Sequence, residues 1–533
     1  QEVHGEICRR GFLRTNALLC SALVDMYGKC GMLSLANEVF DQISDRNVVT
    51  WNALITGYAQ HGHDEKAIMC FQQMKQEGFF PSDVTFVCIL KACGNMGSDN
   101  TGIEIHAEIS KLGLLKTNIV VGTSMVDMYA KCGILVKAQE IFDALVGRDV
   151  TSWNVLISGY AQHCYHEEAL SLFEEMKKQG FSPDAMTTIS ILKSCGNIQA
   201  YQRGKDIHSE IMKDGSVGMN VLVGVALVDM YVKTGELHLA KGVFDEIKNH
   251  NAVSWNTMVG GYAKQGHGEE ALVCFKQMLH EALSPDQVTC ICTLKACGSI
   301  GALDKGKEIH VLILVEGLVK REPLVGIALL DMYAKCGEYA KAHEVFDQLH
   351  VRNVVAWNAL MAGYAQFGKD SIVLKLLNRM VGEDVEPNTI TFTTVLNACS
   401  NSGLVDKGEM FYDAMHRDYG IIPSKEQYTC MVDLFGRAGQ LGKAIQVIQT
   451  MPSLDYLPMW TSLLDACRKW GDIRLGQFAF EYAMKLDENN SMGMYLCIHN
   501  MHTIDTTMPD NVNNIDAFRL NHGVLYEELQ RWW

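Results

Sequence analysis

The chain repeats itself every 102 residues, and that period restricts its fold more than any other feature. Trp-Asn recurs at Trp51-Asn52, Trp153-Asn154, Trp255-Asn256 and Trp357-Asn358. Gly-Tyr follows in step at Gly57-Tyr58, Gly159-Tyr160, Gly261-Tyr262 and Gly363-Tyr364. Asp-Met-Tyr ends at Tyr27, Tyr129, Tyr231 and Tyr333, and the rows His4, His106, His208, His310 and Cys93, Cys195, Cys297, Cys399 keep the same step. Self-similarity at a fixed period marks an array whose units bury their apolar faces on one another.

Each block divides further. Residues 48–149 split into 48–82, 83–118 and 119–149, of 35, 36 and 31 residues. In the first, Trp51, Leu54, Ile55 and Tyr58 sit at i, i+3, i+4 and i+7, which is one face of a helix. Gly62 with His61, His63 and Asp64 breaks that helix, and Ala67, Cys70, Phe71 and Met74 form the face of a second one, ended by Gly78 and Pro81. A tandem of such pairs predicts an all-α, right-handed α-solenoid of helix-turn-helix repeats.

Composition agrees with packed helices. Of 533 residues, 48% are apolar and 20% charged, which excludes a disordered chain. The formal charge of −16 argues against indiscriminate binding to nucleic acid or anionic membrane. No unbroken apolar stretch reaches the roughly 18 residues that a bilayer span needs. The 18 Cys include no Cys-x-x-Cys, and most sit at fixed repeat positions, so they read as reduced, small core residues of an intracellular protein. The first residues, Gln1 to Glu6, lack an initiator Met and begin inside the pattern, so the chain reads as a fragment without its targeting segment.

Catalytic motifs dissolve into the period. His-x-Glu, half of a zinc deaminase signature, occurs at His4/Glu6, His106/Glu108 and His208/Glu210, but its Cys-x-x-Cys partner is missing. Gly301 to Lys307 imitates a phosphate-binding loop, yet Glu308 stands where Ser or Thr would hold Mg²⁺. The expectation is no catalytic residue, no metal and no cofactor.

The motifs Trp-Asn-x-Leu-Ile-x-Gly-Tyr-Ala and Asp-Met-Tyr-Ala-Lys-Cys-Gly, with the 35/36/31 alternation, resemble plant pentatricopeptide repeat proteins of the subclass that alternates standard, long and short repeats. The resemblance divides the chain into a partial long repeat (1–16), alternating repeats (17–388), final long and short repeats (389–457), an extension motif (458–491) and a degenerate or truncated tail (492–533). In that tail Tyr526-Glu527-Glu528-Leu529 faintly resembles the run-in to a deaminase-like domain.

What the resemblance implies is sequence-specific binding of single-stranded organellar RNA, with the fifth and last residues of a repeat reading one base. The standard repeats supply Asn52/Ser82, Asn154/Asp184, Asn256/Asp286 and Asn358/Asn388; the short repeats supply Ser21/Asn47, Thr123/Asp149, Val225/Asn251 and Ile327/Asn353. By resemblance, Asn with Asp prefers U, Asn with Asn or Ser a pyrimidine, Thr with Asp G, and Ser with Asn A. Val225, Ile327 and the long-repeat residues Val87, Ile189 and Ile291 leave their positions unread. The implied target is A-Y-n-G-U-n-n-U-n-n-Y-n-n, the final short repeat lying four nucleotides before an edited C.

Two further rows accompany these pairs. Lys29, Lys131, Lys233 and Lys335 are expected to contact phosphates, and Lys91, Lys193 and Lys295 form a second basic row. Val49, Val120, Val253, Leu324 and Val355, at the second position, either sandwich bases or belong to the core between repeats. The implied role is site recognition for C-to-U editing in a mitochondrion, or alternatively a chloroplast, with a deaminase-domain protein or other editing factors acting in trans. Neither membrane nor DNA is an expected partner. Transcript stabilisation or splicing is one alternative, and a protein-binding scaffold for a basic partner is another.

Overall fold

The computed structural model describes residues 17–43, 46–214 and 220–486. It divides into two compact units, Gln1–Gly261 and Tyr262–Trp533. Every regular element among the described residues is a helix. In the first unit the first helices of successive pairs are Ala17–Lys29, Val48–Gln60, Asp83–Met96, Ile119–Lys131, Val150–Gln162, Ala185–Asn197 and Val221–Lys233. Each packs on the next and carries its own second helix, as Val150–Gln162 carries His166–Lys178. The second unit repeats the scheme with Gln287–Ile300, Pro323–Lys335, Val354–Gln366, Thr389–Ser402, Lys425–Arg437 and Leu457–Trp470. These stacked helix pairs are the architecture expected of the repeat.

Local chemistry starts and stops each helix. Asn47, Ser82, Asp149, Asp184, Asp286 and Asn388 are N-caps in extended backbone, each closing a capping box with Thr or Ser three residues on. The glycine of Lys-Cys-Gly supplies the left-handed residue after the helix, with φ of 77° at Gly133 and 82° at Gly337.

The recurring aromatics form the core. Trp51, Trp153 and Trp357 are fully buried. Phe142 meets Trp153 edge-on at 4.7 Å, and Phe346 meets Trp357 at 4.6 Å. Arg148 lies over the Phe142 ring at 4.7 Å and donates from Nε to the Phe142 carbonyl, so one side chain covers the aromatic pair and ends the helix. The glycine of Gly-Tyr marks a close approach of first helices: a Cβ on Gly159 would stand 2.6 Å from Ala130 Cβ, and one on Gly363 would meet Ala334 Cβ in the same way.

The cysteines separate into two classes, which corrects the uniform core reading. Cys93, Cys195, Cys297 and Cys399 are fully buried, and burial pushes their thiols up to about 12, 11, 12 and 11. In the Lys-Cys-Gly row, Cys30 is exposed and Cys132 and Cys336 are half-buried; Cys132 and Cys336 are helix C-caps, and Cys336 packs at the edge of the core. Cys164 is also exposed. No described helix is long and apolar enough to cross a membrane. The proposed extension is described to residue 486, as helices Leu457–Trp470 and Ile473–Leu486. The segments 1–16 and 492–533 lie outside the described residues.

Candidate nucleic-acid interface

The last residue of one repeat is the N-cap of the next first helix, and the paired positions meet at Asn52/Ser82, Asn154/Asp184 and Asn358/Asn388. Asp184 Oδ1 accepts the backbone N–H of Thr187 at 3.0 Å, and Asp184 Oδ2 accepts from Asn154 Nδ2 at 2.8 Å. The Thr187 hydroxyl donates to Asn154 Oδ1. At the equivalent junction in the second unit, Asn388 Oδ1 accepts the Thr391 N–H at 3.0 Å and Asn358 Nδ2 at 3.0 Å, while Thr391 Oγ1 donates to Asn358 Oδ1 at 2.7 Å. Asn52 Nδ2 donates to Ser82 Oγ at 2.9 Å, and Thr85 Oγ1 donates to Asn52 Oδ1 at 2.5 Å.

The short repeats differ. Asp149 caps its helix by accepting the Ser152 N–H at 2.8 Å, but the Thr123 hydroxyl is buried with no hydrogen-bond partner among the described residues. Ser21 is buried, and Asn47 accepts the N–H groups of Val49 and Thr50 at 3.0 Å each. Asn353 accepts the Ala356 N–H at 3.1 Å. Asn256 sits half-buried on helix Ala252–Lys264, and Asp286 caps Gln287–Ile300 by accepting the Thr289 N–H at 2.9 Å.

Asn154 and Asp184 open onto a cleft of about 380 Å³ between three first helices, whose lining also includes Thr151, Met186, Asp127 and Lys131. Thr151 is the second residue of the repeat that carries the pair and Met186 that of the next repeat, and both are exposed. The same position is exposed at Val49, Val120, Val253, Leu324 and Val355, between 53% and 61%. The core alternative for that row is therefore wrong: these side chains point out of the stack.

The two lysine rows have different surroundings. Lys29, Lys131, Lys233 and Lys335 each donate to the Asp four residues earlier, at 2.7, 2.8, 2.9 and 2.8 Å. Lys131 and Lys233 also donate to Asn95 and Asn197. Lys91, Lys193 and Lys295 are exposed and have no ion-pair partner among the described residues.

The rejected motifs have structural partners. His106, His208 and His310 each place Nδ1 2.9 Å from the hydroxyl of Tyr129, Tyr231 and Tyr333. Burial holds these imidazoles below their usual pKa. Glu108 pairs with Lys75 at 2.7 Å. Gly301 has φ 69° and ends helix Gln287–Ile300, so a helix and not a strand precedes it. Among the described residues no group of three His, Cys, Asp or Glu side chains could hold a metal ion.

Sequence reasoning missed the second use of the last residue. Ser82-x-x-Thr85, Asp184-x-x-Thr187, Asp286-x-x-Thr289 and Asn388-x-x-Thr391 are capping-box signatures, and capping alone favours Asp, Asn and Ser there. The identity of the last residue therefore cannot separate a base reader from a scaffold. The fifth residue is not itself a cap, but at Asn52, Asn154 and Asn358 its amide is tied to the next helix's cap and Thr, so it too serves the junction.

Comparison with known proteins bears on the whole chain. The model described as PPR repeat family matches residues 46–95, 148–197, 250–299 and 352–401, and the model described as PPR repeat matches 19–48, 123–150, 225–251, 328–354, 390–419 and 428–456. A chloroplastic pentatricopeptide repeat-containing protein of Arabidopsis thaliana is 34% identical over 92% of this chain and 56% of its own length. A putative one from the same plant is 32% identical over 97% of this chain and 76% of its own. A mitochondrial one is 32% identical over 92% and 70%. The crystal structure of PPR10 from maize covers 94% of this chain and 82% of its own, with a TM-score of 0.52 at 19% identity, which supports the fold.

Proposed function

The chain belongs to the pentatricopeptide repeat family, and from that membership we propose that it binds single-stranded RNA sequence-specifically in an organelle, where it recognises sites for C-to-U editing. The observation that carries this reading is the Asn154–Asp184 pair in its open cleft. The pair offers a fixed donor and acceptor at the edge of a slot flanked by two exposed side chains, Thr151 and Met186. A flat base fits between the flanking side chains, and its Watson–Crick edge meets the pair.

The capping geometry gives the base preferences a physical basis. Asp184 has only acceptors to display, which suits the N3–H of U. Asn388 has its Oδ1 taken by the Thr391 N–H and by Asn358, so it displays its Nδ2 donor, which suits the bare N3 of C. Asn52 and Ser82 serve a pyrimidine, Ser21 with Asn47 an A, Thr123 with Asp149 a G, and Asn256 with Asp286 a U. Backbone contact falls to Lys29, Lys131, Lys233 and Lys335, with Lys91, Lys193 and Lys295 adding unneutralised charge. The deaminase acts in trans or from a further part of the protein. Relatives named chloroplastic and mitochondrial support an organelle; our first choice is the mitochondrion.

The test is a gel-shift titration at fixed salt, using RNA of the implied pattern beside RNA with the U positions of Asn154/Asp184 and Asn256/Asp286 changed to G. Discrimination, together with a shift from U toward G in Asn154→Thr, supports base reading. Equal binding to both RNAs brings the scaffold reading forward. Transcripts from an organism lacking the protein then test the editing role. Unchanged editing with altered ends or splicing rejects that role and leaves RNA binding standing.

A further inference from the structure

We propose that Thr187, the third residue of the following first helix, is a specificity-determining positioning residue for the base faced by Asn154 and Asp184, and that Thr85 and Thr391 act likewise at their own junctions. This rests on the base-reading function proposed above. A primary amide is nearly symmetric in shape, so an Asn that reads a base needs something to hold Oδ1 and Nδ2 in their places.

Thr187 supplies two such constraints. Its backbone N–H has a fixed polarity and binds Asp184 Oδ1 at 3.0 Å, which leaves Oδ2 to accept Asn154 Nδ2 at 2.8 Å. Its hydroxyl, fully buried, accepts the Asp184 N–H at 3.2 Å and has two acceptors in reach, Asn154 Oδ1, which is the nearer, and Asp184 Oδ1 at 3.1 Å. An inverted amide would set Oδ1 against the carboxylate and leave the hydroxyl proton without that acceptor. At Asn358/Asn388 the last residue is neutral, so the Thr391 hydroxyl, 2.7 Å from Asn358 Oδ1, carries a larger share of the orientation.

Two junctions built differently mark the limits of this role. At the final long repeat the third residue of the next helix is Gln427, fully buried, with its Oε1 accepting the Ser424 N–H at 2.6 Å. Its Nε2 donates to Thr393 Oγ1 at 2.9 Å, and Thr393 donates to the Thr389 carbonyl, so the proton of that fifth residue is spent. At Thr123/Asp149, by contrast, the Ser152 hydroxyl donates to the Asp149 carbonyl at 2.8 Å and leaves Thr123 untouched. Ser152 is thus a built-in control with the same capping role and no orienting one.

The experiment titrates the purified chain with short synthetic RNAs that differ only in U or C at the Asn154/Asp184 position. Wild type is expected to prefer U by about tenfold, Thr187→Val to fall within about twofold of equality, and Thr187→Ser to retain the preference. The preference at the Asn358/Asn388 position stays as in wild type throughout. Ser152→Ala lowers the melting temperature and leaves the preference at Thr123/Asp149 intact. The proposal is overturned if Thr187→Val weakens both RNAs equally and keeps the ratio. A wild type without any preference, matched by Asn154→Ala, overturns the base-reading function itself and this proposal with it. Where circular dichroism shows Thr187→Val unfolded, Thr85→Val decides at Asn52/Ser82 by the same ratio.

Discussion

Asn154 and Asp184 lie thirty residues apart in sequence and share a 2.8 Å hydrogen bond across the junction of two helix pairs. Asp184 divides its two oxygens between two helices: Oδ1 caps the helix that follows, and Oδ2 holds the amide of the helix before. In the proposed function, helix stability and base reading therefore converge on one side chain, and substitutions there separate the two.

Asp184→Asn keeps an oxygen for the cap and replaces the displayed acceptor by a donor. The expected result is an unchanged melting temperature and a shift from U toward C at that one position, read by competition gel shift. Asp184→Ala removes both roles; it costs about 1 kcal/mol of stability by loss of the cap, seen in urea denaturation, and abolishes the preference.

Asp127 neutralises Lys131 at 2.8 Å beside the same cleft. Asp127→Asn is expected to tighten binding to all RNAs alike. The slope of log affinity against log salt should steepen by about 0.7, the value for one more phosphate neutralised on a single strand. A change confined to one base position would contradict the phosphate role of Lys131.

Gly159→Val places side-chain atoms where Ala130 Cβ already stands, 2.6 Å from the site of an added Cβ. The neighbouring first helices must separate, which costs about 1–3 kcal/mol as overpacking. Thermal melts should show the loss. Gly62→Ala meets no neighbour within 4 Å but sits at φ 73°, so it costs about 1 kcal/mol through backbone strain alone.

Acid should loosen the His–Tyr row. Burial lowers the pKa of His106, His208 and His310 from 6.5, so the unfolded chain takes up protons first as pH falls. The contribution is fully present above 6.5 and declines as pH drops from there toward the folded-state values. Melting temperatures from pH 7 down to about 5 should fall less steeply when the three histidines are replaced by Gln.

Thiol labelling at pH 8 should modify the exposed Cys30 and Cys164 first. Cys93 and Cys297, fully buried with thiols pushed up to about 12, should react only on unfolding, as peptide mass spectrometry would show.

Much of this was legible in the chain because helix formation is local. The apolar spacing of Trp51, Leu54, Ile55 and Tyr58, the stop at Gly62 and the 102-residue step specify paired helices without reference to distant residues. The buried tryptophans and the fully buried Cys93 row follow from the same pattern. The direction of Val49 and its equivalents was not legible, since an apolar residue one place before a buried helix position suits either face until a neighbouring helix is placed.

The sequence by itself determined the repeat, its helices, their caps and which side chains could carry hydrogen-bonding chemistry. The tertiary structure alone decided which of those groups meet. Stacking brings Asn154 to Asp184 and Thr187, so it is the geometry of the junction that sets which polar atoms are spent and which remain for a ligand. It also lays Lys131 against Asn95 of the repeat before. Residues thirty or more apart have no local rule to fix their distance; only the packing of one helix pair on the next supplies it.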